Sequence, residues 1–201
     1  SVEIATSRGA TIFPYRGPAE GVAAYAAAVG TEWAECGRRA GRHSLSPASM
    51  VEIEAGTRLV LPSPNGSTLS LGAAATPVLA GCLRNARAVA MVASGFGQRV
   101  AVIPAGERWR PGGSLRPSLE DWLGAGAIIN YLAGSQSPEA RSAVAAFTQE
   151  GELERALAEC GSGKELVERG FAEDVRLAGQ LNVSEGVPVL VEGAYRSFGS
   201  E

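Results

Sequence analysis

Residues 63–67, with the sequence Ser-Pro-Asn-Gly-Ser, combine residue types that can bind a phosphate group. They follow an apolar strand pattern and precede a helix pattern of small residues. Gly66 allows a ligand to approach the backbone closely, and amides at a helix start, with the hydroxyl of Ser67, can donate to an anion. Asn65, Gly66 and Ser67 are therefore candidate anion-binding residues. An ordinary Asn-Gly turn with a serine cap is the alternative, and the absence of a following Gly-Lys-Ser/Thr excludes a P-loop.

A second segment places carboxylates after another strand pattern. Residues 105–109 contain Glu107 and Arg108, and Glu120 and Asp121 follow Ser118 at the start of a helix pattern. Carboxylate oxygens suit Mg²⁺, which takes a few hard ligands together with waters and substrate phosphate. Neighbouring helix residues point about 100° apart, so at most one of the pair is expected to face a given ion. The alternative is that both carboxylates only stabilise the helix terminus, by about 0.3–1 kcal/mol each.

Two further segments carry weaker signals. In residues 34–38, Glu35 could bind a metal and Arg38 an oxyanion, although a surface loop joined by salt bridges is the alternative. Cys36 lacks an adjacent base and is not expected to be a nucleophile. Asp174 is a candidate in a C-terminal helix pattern, where a solvated face is the commoner explanation.

Composition excludes several classes of protein. The chain has 201 residues, of which 45% are hydrophobic and 19% charged, so it is neither disordered, collagenous nor a coiled coil. A net charge of -3 argues against a nucleic-acid partner. One histidine, His43, and three cysteines without a CxxC pair exclude a histidine metal cluster and a thioredoxin-type site. Arg84 and Arg87 interrupt the most apolar stretch, so we expect no membrane partner and a cytoplasmic location with reduced thiols.

Strand patterns alternate with helix patterns, which is typical of an α/β sheet covered by helices on both faces. In such sheets ligands bind beyond the carboxyl ends of the strands, so the loops after strands are the places to search. Asn85 is expected to cap the helix that follows it. Strands are predicted at 11–15, 57–61, 78–81, 99–104 and 187–191, loops at 31–50 and 105–117, and helices at 1–8, 18–28, 67–75, 86–94, 119–132, 138–149, 152–160, 164–169 and 172–181.

The order of these motifs resembles the 2-phosphosulfolactate phosphatase family, the ComB-like proteins of coenzyme M biosynthesis. The resemblance covers essentially the whole chain and rests on order and spacing. The chain departs from the family pattern in the central turn, where the family typically has Thr-Thr-Asn-Gly-Thr, and at Leu45, where it has Asn. The matching segments are 34–38, 45–47, 63–67, 85–86, 118–121 with 125–126, and 170–175.

The resemblance implies one domain over residues 1–201 that lacks an N-terminal strand of the family. The implied fold is α/β, with three α/β/α layers and a mixed central sheet. The implied activity is Mg²⁺-dependent hydrolysis of 2-phospho-3-sulfolactate to sulfolactate and phosphate. The alternatives are a phosphatase for another small phosphorylated hydroxy acid and a non-catalytic ligand-binding protein on the same fold.

The resemblance also implies roles for particular residues. Glu120 and Asp121 are expected to be catalytic, and Glu35 and Glu120 to bind Mg²⁺. The expected partner is a small anionic phosphoester, and a homodimer is expected from the family alone. The expected substrate-binding residues are Arg38, Ser46, Asn65, Gly66, Ser67, Asn85 and Arg108.

Overall fold

The computed structural model describes residues 1–35, 43–73, 76–109 and 111–199. Contacts divide the chain into two compact units, the first formed by Ser1–Ala80 with Gly186–Glu201 and the second by Gly81–Glu185. In chain order the elements are α1 (Val2–Ser7), β1 (Thr11–Pro14), α2 (Val22–Ala28), β2 (Glu32–Trp33), β3 (Arg58–Leu61), α3 (Pro64–Gly72), α4 (Ala86–Phe96), β4 (Glu107–Arg108), β5 (Leu115–Arg116), α5 (Leu119–Asn130), α6 (Pro138–Gln149), α7 (Leu153–Glu159), α8 (Gly161–Glu168), α9 (Ala172–Gly179), β6 (Pro188–Val191) and β7 (Ala194–Ser197).

The first unit contains a five-stranded mixed sheet with the order β2-β3-β1-β7-β6. Strands β2, β3 and β1 are parallel, and β7 is antiparallel to both β1 and β6. Glu192 and Gly193, which connect β6 to β7, both have positive φ, as a two-residue primed hairpin turn requires. Helices and a mixed sheet confirm the predicted α/β class.

Alternate residues of the strands pack into two separate hydrophobic clusters of the first unit. Ile12 and Leu59 belong to a cluster that includes Ile4 of α1, whereas Phe13 and Val60 belong to a cluster that includes α2. Because successive strand residues point to opposite faces, each face of the sheet is covered by its own helix. The covered sheet therefore holds the ends of its parallel strands in fixed positions.

The second unit is built on α5, whose residues from Leu123 to Ile129 are buried. Helix α6 packs so closely against α5 at Gly126 that a Cβ at that position would overlap the carbonyl of Ala143. The antiparallel strands β4 and β5 form a hairpin within the segment that was predicted to be a loop. The predicted helices of this unit are confirmed, although their ends differ by a few residues.

Two predicted strands are wrong. Residues 78–81 contribute only an isolated antiparallel bridge between Leu79 and Val189. Residues 99–104 form no strand and make no backbone hydrogen bond with the described part of the chain, and Ile103 is 66% exposed. A short apolar run shows that a segment suits a sheet, but a strand forms only where a neighbour completes the hydrogen-bond ladder.

The start of α3 also differs from the prediction. The helix begins at Pro64, so Asn65, Gly66 and Ser67 lie in its first turn and not in a preceding turn. Proline at the first helical position explains the earlier start, since it needs no hydrogen-bond partner for an N–H and its φ is already helical. The candidate anion-binding residues therefore lie on a helix terminus.

We predict that Gly126→Ala lowers the free energy of unfolding by about 1–3 kcal/mol, because the added methyl group must push α6 away from α5. Gly124→Ala is the matched control, since a Cβ there meets nothing within 4 Å. The control should be neutral or slightly stabilising, as alanine favours a helix more than glycine does. Urea unfolding of the two variants measures the difference, and equal values would contradict this view of the helix contact.

Candidate active site

The three parallel strands of the first unit end at one edge of its sheet. Beyond β2, the Ala34 N–H donates to the Val60 carbonyl at 2.8 Å, and beyond β1 the Tyr15 N–H donates to the Leu61 carbonyl at 3.3 Å. Glu35 and the start of α3 follow directly from these strand ends. The fold thus brings Glu35 and residues 65–67 to the carboxyl edge, where ligands of α/β sheets are commonly bound.

The first turn of α3 offers backbone donors more than side-chain donors. Ser67 is buried, its N–H donates to the Ser63 carbonyl at 3.1 Å, and its hydroxyl lies 3.4 Å from the Leu61 carbonyl. N–H groups in a first turn have no carbonyl within the helix to bind, and they carry the positive end of the helix dipole. That an anion binds at this turn, at Asn65, Gly66 and Ser67, stays a prediction.

The segment after β2 contains the other first-unit candidates. A parallel bridge pairs Glu35 with Ser44, and Ser46 is buried two residues further on. The Ser46 N–H donates to the Ser44 hydroxyl at 3.2 Å, and the Ser46 carbonyl accepts from the Ser49 hydroxyl at 2.7 Å. Arg38 lies outside the described residues, as does Cys36, and the substrate-binding role of Ser46 stays a prediction.

A backbone hydrogen bond holds the Asp121 carboxylate in the second unit. Its Oδ2 accepts a hydrogen bond of 2.8 Å from the Gly106 N–H, which joins the end of the 99–104 segment to the first turn of α5. Gly106 has a φ of +68°, a conformation that favours glycine. Burial raises the pKa of Asp121 to about 6; the Gly106 hydrogen bond acts in the opposite direction, and the charges of Glu120 and Glu107 raise it further.

Two further polar groups lie at or near the start of α5. The Ser118 hydroxyl is buried and has no hydrogen-bond partner among the described residues, although Ser118 precedes α5 as its N-cap residue. The Cys160 thiol lies 3.9 Å from Glu120 Oε2. Sequence reasoning missed Cys160, because only the packing of α8 brings it to a residue 40 positions earlier.

The hairpin beside Asp121 is fixed by Arg116. Its guanidinium lies 4.7 Å from the centre of the Trp109 ring and makes two hydrogen bonds, of 2.8 and 3.2 Å, to the Glu165 carboxylate. Arg108 is exposed and donates to the Gly113 carbonyl at 2.8 Å within the same hairpin. The sequence identified Arg108 as a candidate but gave no signal for the pairing of Arg116 with α8.

Asn85 does not cap α4 as predicted. Its side-chain oxygen accepts from the Cys82 N–H at 2.9 Å, and α4 has no side-chain cap. The oxygen thus stabilises the turn that precedes Asn85. Asn85 is fully buried and Asp174 of α9 is nearly so; the role of Asn85 in substrate binding stays a prediction.

The carboxylates at the start of α5 suit a hard divalent cation. Among the described residues, no group of three or more His, Cys, Asp or Glu side chains is placed to hold a metal. Mg²⁺ does not require such a group, since it commonly takes one or two protein carboxylates and completes its shell with water and phosphate oxygens. Glu120 and Asp121 have this chemistry, and a cation would relieve the repulsion between their charges. The Mg²⁺-binding roles of Glu35 and Glu120 stay predictions.

The helices and the mixed sheet place the chain in the α/β class. The model of the 2-phosphosulpholactate phosphatase family matches residues 40–193. This chain belongs to that family. Among the described residues, none of the helices has the length and apolar character needed to cross a bilayer.

Curated relatives agree with the family match. The chain is 32% identical over 138 residues to the 2-phosphosulfolactate phosphatase of Methanothermobacter thermautotrophicus, a match that covers 69% of this chain and 58% of the relative. It is 33% identical over 137 residues to the probable 2-phosphosulfolactate phosphatase of Carboxydothermus hydrogenoformans, a match that covers 66% of this chain and 55% of the relative. It is also 33% identical over 151 residues to the probable 2-phosphosulfolactate phosphatase of Gloeobacter violaceus, a match that covers 71% of this chain and 61% of the relative. The chain therefore spans about 55 to 61% of the length of these relatives.

The partly buried carboxyl of Asp121 predicts a pH-dependent stability in metal-free protein. Its pKa is about 6 in the folded state against an ordinary 3.8, so the folded state binds the proton more tightly and loses stability as pH rises through this window. Asp121→Asn keeps an acceptor for Gly106 and carries no charge. We expect the variant to exceed the wild type in free energy of unfolding by about 1–3 kcal/mol at pH 8, and the difference to vanish near pH 4. Urea unfolding in EDTA at pH 4, 6 and 8 measures it; a difference independent of pH would contradict the assignment.

Proposed function

We propose that this chain is a Mg²⁺-dependent phosphatase that hydrolyses 2-phospho-3-sulfolactate to sulfolactate and inorganic phosphate. The observation that carries the proposal is Asp121, fixed by Gly106 beside Glu120 at the start of α5, in a chain of the 2-phosphosulpholactate phosphatase family. The names of the relatives describe this reaction for those proteins. In the reaction the phosphorus–oxygen bond breaks, water supplies the new oxygen on phosphorus, and the sulfolactate oxygen gains a proton.

The charges of the substrate determine what the site must provide. A phosphate, a carboxylate and a sulfonate together need several donors, and the chain itself has a net charge of -3. The amides of the first turn of α3 and the guanidinium groups of Arg38 and Arg108 are the donors we assign to these anions. Mg²⁺, when bound, neutralises charge on the phosphoryl oxygens. Glu120 is the carboxylate that we assign to the ion, and the metal-binding role of Glu35 stays a prediction.

Asp121 is the group we assign to proton handling. Gly106 holds one carboxylate oxygen, Oδ2, while Oδ1 makes no hydrogen bond with the described residues. A carboxylate fixed in this way can accept a proton from the attacking water or return it to the leaving oxygen. The fixed orientation matters because an acid or base contributes only when its oxygen points at the reacting atom.

The direct test is release of inorganic phosphate from 2-phospho-3-sulfolactate. We expect turnover with Mg²⁺ and loss of turnover in EDTA that added Mg²⁺ restores. Release only from other phosphorylated hydroxy acids would favour a phosphatase of different specificity. Absence of release from every phosphoester, with wild-type protein folded, would favour the non-catalytic ligand-binding protein and overturn the proposal.

Replacing Asp121 tests its role separately. Asp121→Asn keeps the hydrogen bond from Gly106 but can neither accept nor return a proton, so we expect kcat to fall by about 10²–10⁴-fold with a smaller change in KM. Glu159→Gln is the control, since Glu159 is an exposed carboxylate of the same unit that pairs only with Arg155 in the described structure. Steady-state kinetics of both variants decides the matter; a kcat within threefold of wild type for Asp121→Asn would remove Asp121 from catalysis.

A further inference from the structure

A chain of hydroxyl hydrogen bonds links the core of the first unit to the first turn of α3. The Tyr195 hydroxyl lies 2.6 Å from the Ser70 hydroxyl, and the Ser70 hydroxyl lies 2.7 Å from the Gly66 carbonyl. Tyr195 is on β7, 125 residues from Ser70, so the contact joins the sheet to the helix. The side chain of Tyr195 is almost wholly buried, in the cluster that contains Ile12 and Leu59.

The direction of the chain follows from the number of protons. The Ser70 hydroxyl has one proton, and the Gly66 carbonyl can only accept, so that proton lies between Ser70 and Gly66. Ser70 must then accept from Tyr195. Burial raises the pKa of the Tyr195 phenol above its ordinary value of 10.0, which keeps the donating proton in place at neutral pH. Successive bonds of this kind polarise and strengthen one another.

The first turn of α3 needs support from outside the helix. Asn65 and Gly66 are weak helix formers, and Ser67 is little better, so the residues themselves do not hold the turn in one conformation. The Gly66 carbonyl that accepts from Ser70 belongs to the same peptide plane as the Ser67 N–H. The Ser67 N–H is already paired with the Ser63 carbonyl, but this plane directly follows the Gly66 N–H, so fixing it also restricts the backbone that carries the preceding amides of the turn. Donors that are fixed before binding hold an anion more tightly than donors that must first be ordered.

We infer that Tyr195 is a positioning residue for phosphate, acting through Ser70 on the first turn of α3. The inference rests on the proposed function, since it takes the α3 turn as part of the phosphate site. Tyr195 itself does not touch the ligand in this assignment. Its role is to keep the backbone donors of the turn in the arrangement that binds the phosphate group.

The test removes single hydroxyl groups and keeps the rest of each side chain. Tyr195→Phe and Ser70→Ala each break the chain, whereas Ser70→Thr retains a hydroxyl and should rescue it. Thr6→Val is the matched control, because Thr6 is a buried residue of the same unit whose hydroxyl donates to the Val2 carbonyl at 3.0 Å. Binding of inorganic phosphate by calorimetry is measured for every variant, together with KM and kcat for the phosphoester.

We expect Tyr195→Phe and Ser70→Ala to weaken phosphate binding by about 3–10-fold, the effect of one hydrogen bond, and to raise KM more than they lower kcat. Ser70→Thr and Thr6→Val should remain within about twofold of wild type. A folded Tyr195→Phe with wild-type phosphate affinity overturns the inference, and so does equal weakening by Thr6→Val. If Tyr195→Phe does not fold, Ser70→Ala decides by the same criterion.

The two proposals fail in different ways. Wild-type protein that hydrolyses no phosphoester, but whose phosphate binding depends on Tyr195 and Ser70, would overturn the proposed function and support the positioning role. Wild-type protein that hydrolyses the ester with a KM independent of both hydroxyls would support the proposed function and overturn the positioning role. Wild-type protein that binds no phosphate would overturn the positioning role.

Discussion

The hydrogen bond between the Gly106 amide and Asp121 is the constraint on which the second unit depends. A buried carboxylate without a partner is unfavourable, and this bond compensates part of the cost while it fixes where the carboxylate points. The bond also fixes the end of the 99–104 segment against α5. Arg116 holds the adjoining hairpin to α8, and Gly126 sets the distance between α5 and α6. The position of Asp121 therefore depends on contacts throughout its unit.

The first unit uses the same strategy with different groups. Its parallel strands end together, so the segments that follow them start from one edge of a covered sheet. The first turn of α3 consists of weak helix formers and is linked to the sheet by hydroxyl hydrogen bonds. In both units, side chains or backbone groups distant in sequence hold the candidate residues. Residues with poor helix propensity can therefore occupy these positions, because the contacts distant in sequence supply the stability that local helix propensity does not.

Local patterns predicted most helices and the strands β1, β3 and β6, but they missed β2 and β7, which also have partners in the sheet. They failed at 78–81 and 99–104, where pairing depends on a second segment that periodicity does not specify. For the site, residue types and order made Glu120, Asp121 and the α3 turn candidates, which stay predictions, whereas the family resemblance is confirmed. The pattern did not reveal the roles of Gly106, Cys160 or Tyr195. Their significance arises from contacts across 15, 40 and 125 residues, which only the folded chain shows.

The unpaired segment 99–104 has a consequence for how the protein behaves at high concentration. Extended apolar backbone with unmade ladder bonds can pair with the same segment of another molecule and begin aggregation. Arg99 and Pro104 stand at its two ends, and charge and proline are the features that discourage such association. Replacing either residue with a neutral β-branched one would remove a feature that discourages this association and would change no residue of the candidate site.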